Sequence, residues 1–174
     1  MHCRCRTNKT RGIEKKEKYH YTVQAEKKGE KMTKYIHKVQ YYETDKMAVT
    51  HHSNYLRWME EARVDFLDQI GWNYRKLEDS GISSPVLNLS CRYRHSTTFD
   101  DTIEITTRVT SLSFVRLCFS YEMRHAGTEK PLLCTGTSEH CFLDSTGRPM
   151  NLKKDCPEIY SALEKHFLMD SPKA

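Results

Sequence analysis

The sequence lacks any long apolar run. No uninterrupted hydrophobic stretch approaches the roughly 18 residues that a membrane-spanning helix requires. The N-terminal residues also lack the apolar segment of a secretory signal peptide and are rich in Lys and Glu instead. We therefore expect a cytoplasmic protein with no integral membrane segment.

The sequence also lacks the short motifs of several large enzyme classes. It contains no G-x-S-x-G, no G-x-x-x-x-G-K-[ST] and no H-E-x-x-H segment, and no G-x-G-x-x-G follows a predicted strand. Serine hydrolases with a nucleophile elbow, P-loop nucleotide hydrolases, zinc proteases and Rossmann dehydrogenases are therefore disfavoured. The seven cysteines show no C-x-x-C spacing, so we expect reduced thiols packed as small hydrophobic side chains. We expect no metal site and no cofactor.

Positive charge is concentrated at the N-terminus. Residues 1–34 hold 11 basic and 4 acidic side chains, whereas residues 35–174 hold 17 and 19. The composition predicts a disordered basic tail over residues 1–34, because a segment so poor in large aliphatic residues cannot offset its ordering entropy. Residues 35–174 are the predicted folded domain. A basic nucleic-acid-binding domain is not indicated and we expect no nucleic-acid partner, although action through the tail is an open alternative.

Helical spacing of apolar side chains predicts one long helix. Ser53 or Asn54 can cap its start, and Gly71 suits the position just past its end. A strand over residues 35–42 and a loop over residues 43–52 precede it. The apolar stripe is wide enough to be covered by a sheet, and its members are Tyr55, Trp58, Met59, Ala62, Phe66 and Ile70.

Apolar and polar residues alternate with period two in the second half of the chain. The links between these segments are short, which makes neighbouring strands antiparallel. The predicted class is α+β, a five-stranded antiparallel sheet wrapped around one long central helix. A short helix over residues 72–81 and a terminal helix over residues 157–169 are also predicted, and the four later strands are expected at residues 86–94, 102–110, 114–124 and 132–143.

A single carboxylate near the start of the long helix offers acyl-transfer chemistry. Asp45 lies in a predicted loop, seven residues before His52. Backbone N–H groups at a helix start are unpaired and lie at the positive end of the helix dipole, where they can receive a developing oxyanion. A carboxylate opposite them could attack a carbonyl or deprotonate water. By spacing alone, an Asp that only forms a turn or a cap is the alternative.

From Lys38 to about Leu163 the chain resembles the hotdog-fold 4-hydroxybenzoyl-CoA thioesterase family. It is most similar to the acyl-CoA thioester hydrolase branch of that family, which includes Tol-Pal-associated enzymes. The residues that carry the resemblance are Tyr42, Thr44, Asp45, Val49, His52, Asn54, Tyr55, Glu60, Ala62 and Arg63, followed by Tyr93, Asp100, Asp101, Ile103, Ile105, Thr107 and Val109. The resemblance implies a hotdog fold and the hydrolysis of acyl-CoA thioesters.

The resemblance also implies roles for individual residues. Asp45 would be the catalytic nucleophile or general base, and the backbone N–H at or near His52 would polarise the carbonyl. The implied substrate-binding residues are Met47, Val49, Asn54 and Tyr55. Where many relatives have glycines, this chain has Lys46-Met47-Ala48, so a bulkier loop and a narrower acyl pocket are expected. Glu60 and Arg63 are spaced to form an ion pair.

Assembly and carrier are further expectations from the resemblance. Similar proteins form homodimers, often homotetramers, with the acyl-CoA site at a subunit interface. Arginines on the strands could contact CoA phosphates, and the candidates are Arg92, Arg94, Arg116 and Arg124. Two other functions stay open: a thioesterase for acyl-acyl-carrier-protein, and a non-catalytic hotdog module that only binds acyl-CoA.

Overall fold

The computed structural model of this chain describes residue 32, residues 34–128 and residues 131–170. Its strands are β1 (Tyr35–Lys38), β2 (Val86–Tyr93), β3 (Thr102–Leu112), β4 (Arg116–His125) and β5 (Cys134–Cys141). Its helices are α1 (His52–Gln69), α2 (Tyr74–Asp79), α3 (Leu152–Asp155) and α4 (Pro157–Asp170). The tail predicted over residues 1–34 lies, apart from Met32 and Lys34, outside the described residues.

The five strands form one antiparallel sheet in the order β1-β3-β4-β5-β2. The strands β3, β4 and β5 are neighbours in sequence and in space, as their short links predict. The strand β2 pairs with β5 instead of with β3, so β1 and β2 are the two edge strands. The predicted α+β class, with a five-stranded antiparallel sheet and one long helix, is confirmed.

The helix α1 packs against the inner face of the sheet. It buries the apolar stripe that the sequence predicts, including Trp58 and Phe66, and the Phe66 ring meets Phe119 of β4 edge-on at a centroid distance of 5.3 Å. The closest approach is at Gly136 of β5. A Cβ placed there would overlap the Met59 sulfur of α1 and lie 2.9 Å from the Ser90 carbonyl oxygen. Glycine therefore lets helix and sheet touch at this point.

The first strand is shorter than predicted. It ends at Lys38, and Tyr41–Glu43 form a single 3₁₀ turn in place of the end of the predicted strand over residues 35–42. The cause is the Glu43 carboxylate, which turns back to accept a hydrogen bond of 2.7 Å from the Gln40 N–H. The alternating tyrosines suggested a strand, but Tyr41 and Tyr42 are both largely exposed.

The cap of the long helix lies two residues before Ser53 and three before Asn54, the two predicted caps. This cap is His51, whose ring nitrogen accepts from the Ser53 N–H at 3.4 Å, so the prediction of Ser53 or Asn54 is wrong. The predicted end is confirmed, since Gly71 has φ +79° just past the last helical residue. Within the described part of the chain, no helix combines the length and apolar character that crossing a membrane requires.

Candidate functional site

The loop that carries Asp45 is a tight hairpin. Thr44 and Thr50 form an isolated antiparallel bridge, and the Asp45 N–H donates to the Val49 carbonyl at 2.9 Å. One carboxylate oxygen of Asp45 accepts from the Met47 N–H at 2.7 Å. The side chain is half-buried. Its second oxygen accepts no hydrogen bond from any described residue, and is available to water or substrate.

This hairpin contains one strained residue. Ala48 has φ +58°, a left-handed conformation that glycine adopts without a steric cost. Its N–H closes the turn by donating to the Asp45 carbonyl at 2.9 Å. Met47 beside it is 74% exposed in the single chain. The predicted narrowing of an acyl pocket by Met47 is therefore not seen within one chain.

Glu43 ties this hairpin to the helix α1. Its backbone carbonyl accepts from the His51 N–H and from the Asn54 side-chain amide, both at 2.8 Å. Its carboxylate accepts from the Trp58 indole N–H at 2.7 Å. The Asp45 loop and the first turn of α1 are therefore held together through one residue. The sequence reasoning missed this role, because Glu43 alone gives no periodic or motif signal.

The Glu43 carboxylate is almost fully buried and belongs to a charged network. It is 4% exposed and contacts the His37 ring at 2.9 Å, while the other ring nitrogen of His37 lies 3.3 Å from Glu61. Burial by itself raises the pKa of the Glu43 carboxyl. The hydrogen bonds from Gln40, His37 and Trp58 outweigh that effect and hold this pKa below its usual value of 4.5.

The helix start leaves one backbone donor without a partner among the described residues, the His52 N–H, because the Ser53 N–H donates to the His51 ring and the Asn54 N–H to the His51 carbonyl. His52 is the first residue of α1 and is exposed, with its ring 4.2 Å from the ring of the cap His51. The Tyr93 hydroxyl of β2 donates to the His52 carbonyl at 3.0 Å, which fixes the edge strand to this turn. A helix of 18 residues brings its positive dipole end here, so an anionic oxygen would be stabilised at this position.

A cleft of about 240 Å³ opens beside the helix start. Its lining residues are Thr50, His52, Tyr55, Tyr93, Arg94, His95 and Ser96. The side walls are largely aromatic, and the Tyr55 and Tyr93 rings meet edge-on at 5.3 Å. Arg94 is the one candidate arginine that borders this cleft. Arg116, by contrast, is paired with Glu139 on the sheet.

Hydroxyl groups organise the floor of the cleft. The Tyr55 hydroxyl accepts from the Thr97 N–H at 3.2 Å and lies 3.0 Å from the Thr97 hydroxyl. The Thr97 hydroxyl also contacts that of Thr50 at 2.7 Å. Burial raises the pKa of Tyr55, so this phenol stays neutral at physiological pH.

The structure brings some of the predicted site residues together and separates others. His52 and Tyr55 line the cleft, whereas Asp45 and Val49 belong to the adjoining hairpin and are not among the cleft's lining residues. Asn54 is buried and holds the Glu43 carbonyl, which is a structural contact. Tyr93, Arg94 and His95 were not singled out as cleft residues, because strand alternation does not show where an edge strand meets a helix end.

The predicted ion pair between Glu60 and Arg63 is not among the ion pairs of the described residues. Arg63 is 4% exposed, and its guanidinium lies 3.3 Å from His140 and over the Tyr74 ring at 5.4 Å. Burial and the Arg63 charge lower the pKa of His140 to about 4, so its ring is neutral and accepts from the guanidinium. Arg63 is therefore a core residue.

The described residues contain no group of three His, Cys, Asp or Glu side chains that could hold a metal ion.

Comparisons with known proteins were made for the whole chain. Residues 39–166 match the family model described as the thioesterase-like superfamily. The chain is 34% identical over 125 residues to "Putative esterase" of Aquifex aeolicus (strain VF5), a match that covers 72% of this chain and 94% of that protein. It is 29% identical over 128 residues to "Putative acyl-CoA thioesterase YneP" of Bacillus subtilis (strain 168), covering 73% and 91%.

The fold is also similar to solved structures. The DHNA-CoA thioesterase from Staphylococcus aureus superposes with a TM-score of 0.71 at 31% identity, covering 76% of this chain and 89% of that one. Residues 39–166, which match the family model, contain every element from the Asp45 hairpin to β5. The hotdog arrangement that the resemblance implies is confirmed.

Proposed function

This chain belongs to the thioesterase-like superfamily, and we propose that it hydrolyses acyl-CoA thioesters to a free acid and CoA. The observation that carries the proposal is the Asp45 hairpin, which Glu43 ties to the first turn of α1 beside a cleft. A carboxylate and a free backbone N–H at a helix start are two elements that thioester hydrolysis can use. The names of two similar proteins, "Putative acyl-CoA thioesterase YneP" and a DHNA-CoA thioesterase, support this choice.

The proposed reaction has two routes. In the nucleophilic route an Asp45 oxygen attacks the thioester carbonyl, CoA leaves as a thiolate, and water hydrolyses the mixed anhydride. In the general-base route Asp45 takes a proton from water, and that water attacks the carbonyl directly. In both routes the carbonyl oxygen becomes an oxyanion, which the N–H at or near His52 stabilises. Tyr55 and Tyr93 shape the cleft, and His52 orients the acyl group.

Replacing the carboxylate tests the proposal. We expect Asp45→Asn to lower kcat by about 100-fold or more, the scale of removing a positioned acid or base. The assay is release of free thiol from a panel of aromatic and straight-chain acyl-CoAs. Asp79→Asn is the matched control, because it removes a carboxylate at the end of α2 and away from the hairpin. Equal turnover of the two variants would refute the role of Asp45.

A single turnover in ¹⁸O-labelled water tests the nucleophilic route. If Asp45 is the nucleophile and water attacks its carboxyl carbon, the label enters Asp45, which mass spectrometry of the peptide detects. If Asp45 is a general base, or if water attacks the acyl carbon of the anhydride, the label appears only in the product acid. The same panel, extended to an acyl-acyl-carrier-protein, tests the carrier. If kcat/KM is higher with acyl-acyl-carrier-protein than with acyl-CoA, the proposed substrate becomes acyl-acyl-carrier-protein.

Arg94 supports the choice of CoA as carrier. It borders the cleft and is exposed, so its charge can meet a phosphate group. We expect Arg94→Gln to raise KM for acyl-CoA more than it changes kcat. The matched control is Arg92→Gln, because Arg92 lies two residues earlier, near the end of β2, and lines a different cleft. An equal effect of both variants would contradict a specific contact.

We also propose that two copies of the chain pair through the edge strand β2. Its N-terminal half exposes Val86, Leu87 and Leu89, apolar side chains that an isolated edge strand leaves in water. Leu89→Lys should shift the protein towards the monomer in light-scattering chromatography, and a homotetramer is the alternative outcome for the wild type. A wild-type monomer would contradict this pairing.

The remaining assignments stay predictions from the sequence. The finer placement in the Tol-Pal-associated branch rests on the segment from Tyr42 to Arg63. The cytoplasmic location is likewise a prediction, and cell fractionation tests it.

A further inference from the structure

Two cysteines touch on the inner face of the sheet. In the register of β2 and β5, Cys91 lies opposite Gly136 and Tyr93 lies opposite Cys134, so the two cysteines are diagonal neighbours on one face. Their sulfur atoms are 3.1 Å apart. Both are free thiols, with Cys134 fully buried and Cys91 half-buried. Among the described cysteines, no other pair of sulfurs is in contact.

The two thiols have different chemical properties. The hydrogen bonds from Cys134 and, to a smaller extent, from Tyr93 outweigh the opposing effect of burial and lower the pKa of Cys91 to about 7. The contact with Cys91 raises the pKa of Cys134, which stays a thiol. A thiolate beside a resolving thiol is the arrangement that oxidants convert to a disulfide.

The two cysteines differ in their exposure to solvent. Cys91 is half-buried, so part of it is open to a small oxidant, whereas Cys134 is fully buried. This geometry makes Cys91 the attacking thiol and Cys134 the resolving one.

We propose that Cys91 and Cys134 form a peroxide-reactive dithiol site that closes to a disulfide. The Cys91 thiolate attacks one oxygen of hydrogen peroxide, the O–O bond breaks, and hydroxide leaves, so Cys91 becomes a sulfenic acid. The Cys134 sulfur then attacks the Cys91 sulfur and displaces water as an S–S bond forms. Two thiols are oxidised and one peroxide is reduced to two waters. A dithiol reductant reverses the reaction.

The site lies beneath the cleft of the candidate functional site. Tyr93 faces Cys134 across the two strands, and its hydroxyl is bonded to the first residue of α1. Formation of the disulfide would therefore link β2 covalently to β5 next to Tyr93, which lines that cleft. This inference does not depend on the thioesterase activity, and its test does not use that activity.

Peptide mapping tests the proposal on the full chain. Reduced protein is treated with equimolar hydrogen peroxide, its remaining thiols are alkylated, and a non-reducing digest is analysed by mass spectrometry. We expect a peptide that links Cys91 to Cys134 and lacks two hydrogen atoms, formed before any other cysteine is modified. Treatment with dithiothreitol should restore both thiols. A link between other cysteines, or a disulfide between chains on a non-reducing gel, would overturn the proposal.

Single substitutions assign the two roles. Cys134→Ser should stop the reaction at the Cys91 sulfenic acid, which dimedone traps, whereas Cys91→Ser should leave Cys134 unmodified. Cys118→Ser is the matched control and should oxidise like the wild type, because burial raises the pKa of Cys118 and it lies on another strand. Dimedone labelling of Cys118 in preference to Cys91 would refute the assignment. Where a serine variant does not fold, the alanine variant replaces it.

Discussion

The buried Glu43 carboxylate is expected to stabilise the fold as well as the candidate site. It accepts from Trp58 at 2.7 Å, from the Gln40 N–H at 2.7 Å and contacts His37 at 2.9 Å. Glu43→Gln keeps the shape but replaces one acceptor oxygen with an NH₂ donor. In the orientation that keeps the contacts to Gln40 and His37, the buried indole N–H of Trp58 faces another donor.

The expected cost follows from these contacts. A buried donor left without an acceptor costs about 1–3 kcal/mol, and a hydrogen bond to a charged group is worth about 1.5–3 kcal/mol. The two effects overlap at one group, so we expect Glu43→Gln to lower the free energy of unfolding by about 3 kcal/mol. The matched control is Glu61→Gln, whose carboxylate also contacts His37 but is 46% exposed. Its cost should stay below about 1 kcal/mol.

Urea unfolding followed by tryptophan fluorescence measures both variants. The Glu43 pKa is lower in the folded state, so its stabilisation is fully present above the usual pKa of 4.5 and is lost as the pH falls through the folded-state value. The gap between wild type and Glu43→Gln should therefore be largest at neutral pH and shrink in acid. A Glu43→Gln variant no less stable than Glu61→Gln would refute the reasoning. Turnover should fall less than in Asp45→Asn, because the backbone carbonyl of Glu43 is retained.

Three further predictions concern the hairpin, the core and the N-terminal residues. Ala48→Gly should raise the free energy of unfolding by about 0.5–1 kcal/mol, because glycine removes the strain of a left-handed alanine and this gain exceeds the cost of the added chain entropy in the unfolded state. A variant that is less stable than the wild type in urea unfolding would contradict the strain. Gly136→Ala should lower the free energy of unfolding by about 1–3 kcal/mol, since its methyl group overlaps Met59, and thermal unfolding of the variant beside the wild type is the check. Deleting residues 1–31 should leave kcat for acyl-CoA nearly unchanged, and a loss of turnover would show that these residues take part.

Local patterns were sufficient for the order and type of the elements. Period-two alternation located β3, β4 and β5 within about two residues at each end, because each of these strands has one face on the core. The prediction of β2 over residues 86–94 agrees with its observed range to one residue, although most of its side chains are exposed in the single chain. The helix α1 was located by its apolar stripe and by Gly71. The errors arose where side chains compete with the regular pattern, as at Glu43, which turns the backbone out of β1, and at His51, which takes the cap from Ser53.

The candidate site could be predicted only in part. The Asp45 hairpin and His52 belong to one continuous segment, so a motif in the sequence contains them both. The cleft, however, combines that segment with Tyr93, the last residue of β2, and with Arg94 just after it, about forty residues further along the chain. Their meeting depends on β2 pairing with β5 at the sheet edge, which no local pattern specifies.

The sequence by itself therefore determined the α+β class, the long helix and the carboxylate that precedes it, because periodicity and short motifs are local properties of the chain. Only the tertiary structure decided that Glu43 is buried between the hairpin and α1, that Arg63 is a core residue, and that Cys91 touches Cys134. Each of these contacts joins groups that are distant in sequence. The strand order and the packing of α1 on the sheet bring them together, and hydrogen bonding and burial then determine their chemistry.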